Sequence, residues 1–148
     1  MIEKLKSMKK KFIGEGINHE DQPFKASFEI YDKSEINGLS FVFEAKGNDG
    51  QPFHLESSLV GKNMRGETCL WVLSSNHPGV FERPLRSEIK TSQGHQFIFG
   101  FGNKEDRNSF REEIHIELNE NTIRYVYFWG MPGGDFAERS GCQMQAID

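Results

Sequence analysis

The stretch KKKFIGEGINHEDQPFKASFEI, residues 9–30, joins a lysine-rich leader to a glycine pair and then to a strictly alternating segment. In its last part, apolar side chains at Phe24, Ala26, Phe28 and Ile30 alternate with polar ones. A period of two is typical of a β-strand with one buried face and one face in water. The stretch therefore predicts a leader followed by the first strands of an antiparallel sheet.

The same alternation continues toward the C-terminus, with turn signals about every ten residues. It recurs in residues 39–46, 53–60, 97–101, 110–118 and 123–129. We count about ten strands joined by short turns. Because so long a sheet in one small domain curls until its edges meet, we predict an all-β, up-and-down antiparallel barrel. A two-sheet sandwich is the alternative, but it normally needs longer crossover connections.

The length of 148 residues suits one domain with a single core. We assign residues 1–11 to an N-terminal lid or helix and residues 12–148 to the barrel. In the leader, Ile2, Leu5 and Met8 lie near helical spacing with lysines between them. We expect the leader to cover one barrel end with its lysines in water. A weak membrane tether is the alternative.

Charge and hydropathy exclude several classes of function. The net charge is −4, and residues 1–12 hold five lysines against one glutamate, so the rest carries about −8, which argues against a nucleic-acid groove. The sequence has neither an apolar run of about 18 residues nor a secretory leader, so we expect a cytoplasmic protein without stable membrane insertion. Cys69 and Cys142 lack metal-ligand spacing, and we expect them to be reduced, with no metal bound.

The segment Phe12–Gly16, an aromatic-x-Gly-x-Gly sequence ahead of a meander of strands, resembles the start of calycin barrels. This group contains lipocalins, fatty-acid-binding proteins and nitrobindin-like haem proteins, and the resemblance covers the chain as architecture. The segment QPFHLESSLVG, residues 51–61, is also similar to the His-x-Glu strand of nitrobindin-like proteins. The resemblance implies a calycin/lipocalin-like barrel with a small-molecule cavity, and haem as one ligand.

Three departures from those families limit what is carried over. Only residues 18–23 are available where fatty-acid-binding proteins insert two helices, and Arg124 and Tyr125 are adjacent where those proteins have Arg-x-Tyr. Residues 136–148 contain no histidine of the kind that holds haem in nitrobindin-like proteins. We therefore expect no resident cofactor. The pair Gly14-x-Gly16 also lacks the third glycine and the helix of a dinucleotide loop, so we interpret it as allowing a bend and close approach of the capping leader.

Aromatic residues and arginines on the predicted strands are the candidate ligand-binding residues. Rings in a row on one strand face can line a cavity, with hydroxyl or indole groups orienting the ligand and an arginine meeting its polar end. Core packing explains such a row equally well. The candidates are Trp71, Phe97, Phe99, Phe101, Arg124, Tyr125, Tyr127, Trp129 and Arg139.

His54 and Glu56 form a candidate polar site, since they share one strand face and suit acid–base chemistry. We favour instead a hydrogen-bonded pair on the outside of the barrel. His115, between two glutamates, and His19, beside two acidic residues, are expected at the surface.

The function favoured by these patterns is the non-enzymatic binding of a small, mainly hydrophobic or aromatic ligand inside the barrel, by a monomer or homodimer. No nucleophile motif supports catalysis. An enzyme that uses His54 and Glu56 or a tyrosine, nitrobindin-like haem binding, and a filled barrel that acts as an interaction module are the alternatives.

Overall fold

A computed structural model of the protein describes residues 1–32, 35–92 and 94–148. They form one helix, α1 (Ile2–Lys6), and ten strands. The strands are β1 (Lys11–Ile17), β2 (Pro23–Tyr31), β3 (Gly38–Gly47), β4 (Pro52–Lys62), β5 (Thr68–Ser74), β6 (Phe81–Lys90), β7 (His95–Phe101), β8 (Arg111–Leu118), β9 (Thr122–Gly130) and β10 (Ala137–Ile147). No described helix has the length and apolarity needed to cross a bilayer.

The ten strands form a closed barrel in which each strand pairs antiparallel with its neighbours in the chain. Closure comes from β1, which pairs with β2 on one side and with β10 on the other, so that Lys11 lies opposite both Glu29 and Ile147. The prediction of an up-and-down antiparallel barrel is confirmed, and the sandwich is excluded. Because successive connections alternate between the two ends, β1–β2, β3–β4 and β5–β6 turn at the same end.

Helix α1 lies at the opposite end of the barrel, beside the connection between β2 and β3. Leu5 is fully buried and Met8 nearly so, and both belong to the hydrophobic core. Lys6 donates from Nζ to the carbonyl oxygen of Ile36 at 2.8 Å and lies 3.5 Å from a carboxylate oxygen of Asp32. The leader's lysines were predicted to lie in water. Lys6 is instead held against the barrel, because Asp32 compensates its charge.

Bulky rings fill the middle of the barrel. Phe28 and Phe41 stack with ring centroids 4.5 Å apart, and Tyr125 packs against both rings. Phe97 and Phe99, predicted as ligand contacts, are fully buried here. The middle of the barrel is thus filled by side chains, and open space is present at the end opposite α1.

Gly14 and Gly16 lie in β1 where the barrel closes against β10. A Cβ at Gly14 would lie 2.0 Å from the carbonyl oxygen of Gln143, and one at Gly16 would lie 2.4 Å from that of Gly141. The glycines do permit close approach, but their partner is strand β10 and not the capping leader. The reason is the register of closure, which places Gly14 opposite Met144.

Candidate functional site

The end of the barrel opposite α1 contains a cavity of about 660 Å³, which we call the open-end cavity. Four polar side chains at its inner side belong to His54, His77, Glu112 and Tyr127. Aromatic rings form much of its wall, and they belong to Phe24, Phe43, Phe53, Phe110 and Trp129. Six further polar residues also line the cavity, four of them at the β1–β2 turn. A lining that combines aromatic walls with convergent polar groups is typical of a small-molecule site.

Beside this cavity, the carboxylate of Glu56 is buried at 3% exposure and accepts four hydrogen bonds. Ser58 Oγ and the Tyr125 hydroxyl donate to Oε1 at 2.5 and 2.7 Å. The Tyr127 hydroxyl donates to Oε2, and His54 Nε2 lies 3.1 Å from the same oxygen. A buried carboxylate is tolerated where its lone pairs are satisfied in this way.

The titration of this cluster follows from its burial and its hydrogen bonds. Burial alone would raise the pKa of Glu56, but hydrogen bonds from His54, Ser58 and Tyr127 bring the pKa below its ordinary value. Burial, and then the Glu56 carboxylate, raises the pKa of Tyr125 and that of Tyr127 well above 10.0. Both phenols therefore remain protonated donors to an ionised carboxylate at neutral pH.

His54 faces the interior, so the expectation of an external pair with Glu56 is wrong. In β4 the apolar Leu55 and Leu59 point outward, and Leu59 is 58% exposed. Local apolar alternation suggested the opposite orientation. What overrides it is the set of donors from β9, Tyr125 and Tyr127, which satisfies Glu56 inside the barrel.

Both ring nitrogens of His54 have protein partners. Asn76 Nδ2 donates to Nδ1 at 2.8 Å, while Nε2 faces Glu56. The imidazole also packs against the rings of Phe43 and Tyr127, with centroids 5.9 and 5.6 Å away. His54 is thus a fixed part of the cavity surface.

The structure contains a second histidine–carboxylate pair, which the sequence did not predict. His77 Nε2 lies 3.2 Å from Oε2 of Glu112, and Arg83 Nε donates to Oε1 of the same carboxylate at 2.5 Å. The guanidinium of Arg83 is fully buried. Because 35 residues separate His77 from Glu112, no local spacing links them.

The structure places two of the predicted rings on the cavity and others elsewhere. Tyr127 and Trp129 line the open-end cavity, whereas Tyr125 lies in the core and takes part in the Glu56 cluster. Phe101 stacks on Phe81 with centroids 4.6 Å apart. Predicting the aromatic face of β9 therefore located part of the site.

Trp71 and the predicted arginines lie away from the cavity interior. Trp71 is on the outer face of β5, opposite Leu59. Arg124 is also outside, with Nη1 2.9 Å from Glu117. Arg139 stacks over the ring of Trp129 at 4.7 Å and donates to main-chain oxygens. Of these arginines, only Arg139 contacts a cavity residue.

Two other histidines were predicted at the surface. His115 faces outward, where it bonds to Glu113 and stacks on Phe128 with centroids 4.3 Å apart. His19 lies in the β1–β2 turn, as expected, but its ring packs edge-on against Trp129 at 5.8 Å and lines the open-end cavity. The turn therefore contributes a wall that the sequence did not reveal.

Arg111 shapes the rim of the open-end cavity. Its buried guanidinium donates to the carbonyl oxygens of Met131 and Gly134 at 2.7 Å each, and to those of Lys104 and Ser109 at 3.3 Å each. It therefore ties the connection before β8 to the connection after β9. Met131 lines the cavity, so this arginine positions part of its rim.

A group of potential metal ligands lies on the outer face, at Glu67, Cys69 and Glu82. Arg65 already pairs with both carboxylates, at 2.8 and 3.0 Å. Burial raises the pKa of the Cys69 thiol. The group therefore lacks the open anionic ligands that would attract a cation.

No protein-family model matches the sequence, and no curated protein matches it. Among solved structures, the fold is similar to the crystal structure of Rv2717c from M. tuberculosis, with a TM-score of 0.74. The match covers 99% of this chain and 96% of that chain at 11% sequence identity. At this identity the likeness shows the fold alone, an antiparallel barrel consistent with a calycin-like architecture.

Proposed function

We propose that this protein binds a small, mainly aromatic or hydrophobic molecule in the open-end cavity without transforming it. The observation that carries the proposal is the cavity itself, about 660 Å³ with a wall rich in rings and a polar inner side. Ligand sites of about 300–1,000 Å³ with this lining bury most of a small molecule. A calycin-like assignment would agree with this use of the barrel.

The binding energy would come mainly from apolar burial. Covering on the order of 300 Å² of ligand surface at about 25 cal/mol per Å² contributes about 7 kcal/mol before the cost of immobilising the ligand. Since that cost is at least about 4 kcal/mol, apolar burial alone leaves about 3 kcal/mol, which corresponds to millimolar affinity, so hydrogen bonds to the ligand must supply any tighter binding. Polar groups at the inner side would then select among ligands of similar size.

A proton-transfer enzyme is the second candidate, and one observation favours it: His54 and Glu56 point into the barrel next to the cavity. Its chemistry would require Asn76 to leave Nδ1 of His54, because both ring nitrogens are otherwise engaged. A small molecule whose NMR spectrum shows conversion to a product on incubation with the protein, but not with a His54→Gln variant, would support this candidate over simple binding.

Native mass spectrometry, compared with the denatured mass, tests whether a small molecule travels with the purified fold. An aromatic or lipid-like mass that is lost on denaturation supports the proposal. A haem mass with a Soret band would support the nitrobindin-like alternative instead.

Filling the cavity is expected to weaken ligand binding. Ser140 lines the open-end cavity, so Ser140→Phe would occupy part of its volume. We expect at least tenfold weaker binding of 2-methoxynaphthalene, measured by Trp129 fluorescence in a Trp71→Phe background, which leaves one tryptophan. Trp71 suits this replacement because it lies on the outer face.

The matched control is Gln143→Phe, which adds a ring to an exposed position on the same strand. We expect it to bind the probe like the parent protein. If Ser140→Phe and Gln143→Phe both fold and bind the probe with equal affinity, the ligand site would lie outside the open-end cavity.

A further inference from the structure

The two cavity histidines differ in what their ring nitrogens contact. In His54 both nitrogens are engaged, by Asn76 and by Glu56. In His77 only Nε2 has a hydrogen bond among the described residues, to Glu112. The side chain of His77 is 21% exposed and lines the open-end cavity. Its second nitrogen is therefore available to a ligand.

Solvent reaches Nδ1 of His77. Among the residues that the structure describes, buried side-chain nitrogens and oxygens without a hydrogen bond occur only in Asp32, Arg83 and His95. Nδ1 of His77 has no protein partner in the described part of the chain and is not among these atoms. It is thus a solvent-accessible atom on a residue that lines the cavity.

The surroundings of His77 fix which nitrogen carries the proton. A carboxylate only accepts hydrogen bonds, so the contact with Glu112 places the proton of the neutral imidazole on Nε2. Arg83 holds the other oxygen of Glu112 at 2.5 Å from a fully buried position. Nδ1 is then left with its lone pair and acts as an acceptor.

Two rings fix the orientation of the imidazole. Phe81 and Phe110 pack edge-on against His77, with centroids 5.5 and 5.8 Å away. Phe110 itself lines the cavity. An aromatic ligand against this wall would lie beside an acceptor whose direction is already set, which lowers the cost of forming the hydrogen bond.

We infer that Nδ1 of His77 accepts a hydrogen bond from a hydroxyl or amine on the ligand, so that the molecule bound is an aromatic compound with a donor group, such as a phenol or an aryl amine. The inference rests on the proposed function, because it names the ligand class of the same cavity. Glu112 and Arg83 are positioning residues for His77.

The test compares 2-naphthol with 2-methoxynaphthalene, in which a methyl group replaces the donor hydrogen. Their affinities are measured by Trp129 fluorescence in the Trp71→Phe protein. The ratio of the two affinities should fall about fivefold in His77→Phe, the worth of one hydrogen bond, while the methyl ether still binds. His115→Phe, on the outer face, should leave the ratio unchanged. An unchanged ratio in folded His77→Phe would overturn the inference.

The tautomer of His77 gives a readout that needs no ligand. Nitrogen-15 NMR of the imidazole should show the proton on Nε2, and Glu112→Gln should reduce that preference together with the affinity ratio. A proton found on Nδ1 in the parent protein would overturn the inference. Failure of both naphthalene probes to bind would instead count against the proposed function, and the tautomer would still decide the role of His77.

Discussion

Replacing Glu56 with alanine is expected to lower the free energy of unfolding by about 3–5 kcal/mol, because it leaves the four donors of this carboxylate, three of them buried, without their acceptor. The carboxylate accepts from Ser58, Tyr125, Tyr127 and His54. Ser58 and Tyr125 are buried in the core, whereas His54 and Tyr127 also border the open-end cavity. Urea unfolding followed by circular dichroism measures the change. Glu56→Gln, which keeps the volume and one acceptor oxygen, should lose less.

Glu44→Ala is the matched control, since Glu44 is more than one-third exposed on the outer face and forms an ion pair with Lys46. We expect its stability to stay within about 0.5 kcal/mol of the parent protein. If Glu56→Ala were equally mild, the buried network would contribute nothing to folding, and its arrangement would need a different explanation.

Lowering the pH should remove the stabilisation that the Glu56 carboxylate gives to the folded protein. The pKa of Glu56 is lower in the folded state than its ordinary value of 4.5, so the folded protein binds fewer protons there than the unfolded chain. The stabilisation is fully present at pH values above the pKa of Glu56 in the unfolded chain. It is lost as the pH falls through the pKa of Glu56 in the folded protein. The stability gap between the parent protein and Glu56→Gln should therefore narrow below about pH 4.5. A gap that stays constant with pH would contradict the lowered pKa.

Gly14→Ala is expected to lower the free energy of unfolding by about 3 kcal/mol or more, because the added Cβ meets main chain. It would lie 2.0 Å from the carbonyl oxygen of Gln143 and 2.7 Å from Cα of Met144. Neither atom can move without separating β1 from β10. Thermal and urea unfolding should both shift, and a protein that fails to accumulate in folded form is the extreme outcome.

Gly79→Ala tests whether the effect is steric. A Cβ at Gly79 would have no atom of the described residues within 4 Å, and this glycine does not adopt a left-handed φ. We expect a stability change near zero. Equal costs at the two positions would mean that Gly14 acts through chain flexibility and not through the close approach of β10.

The strands could be predicted because period-two patterning is local, whereas the facing of β4 could not. Leu55 and Leu59 suggested an inward apolar face, yet Glu56 points into the interior because Tyr125 and Tyr127 donate hydrogen bonds to it there. These two partners lie 69 and 71 residues away in the sequence. Such partners leave no mark within a window of ten residues. The same holds for His77, whose carboxylate partner is on β8.

Ring content was a poorer guide to the cavity than strand facing. In β5 the inward positions are occupied by Leu70 and Val72, so Trp71 is outside although it is the largest side chain of the strand. Trp129 was predicted correctly to share a face with Tyr127, because both lie on one strand at a spacing of two. The register between strands decides which other side chains reach the cavity, and closure of the barrel sets that register.

Closure by β1 and β10 has a consequence for synthesis of the protein. The first strand to be made, Lys11–Ile17, waits for the last, Ala137–Ile147, before its second edge is covered. Throughout translation the growing sheet therefore presents unpaired amides and carbonyls, the groups that recruit neighbouring chains. A chain that ends before residue 141 would keep that edge exposed and be prone to self-association.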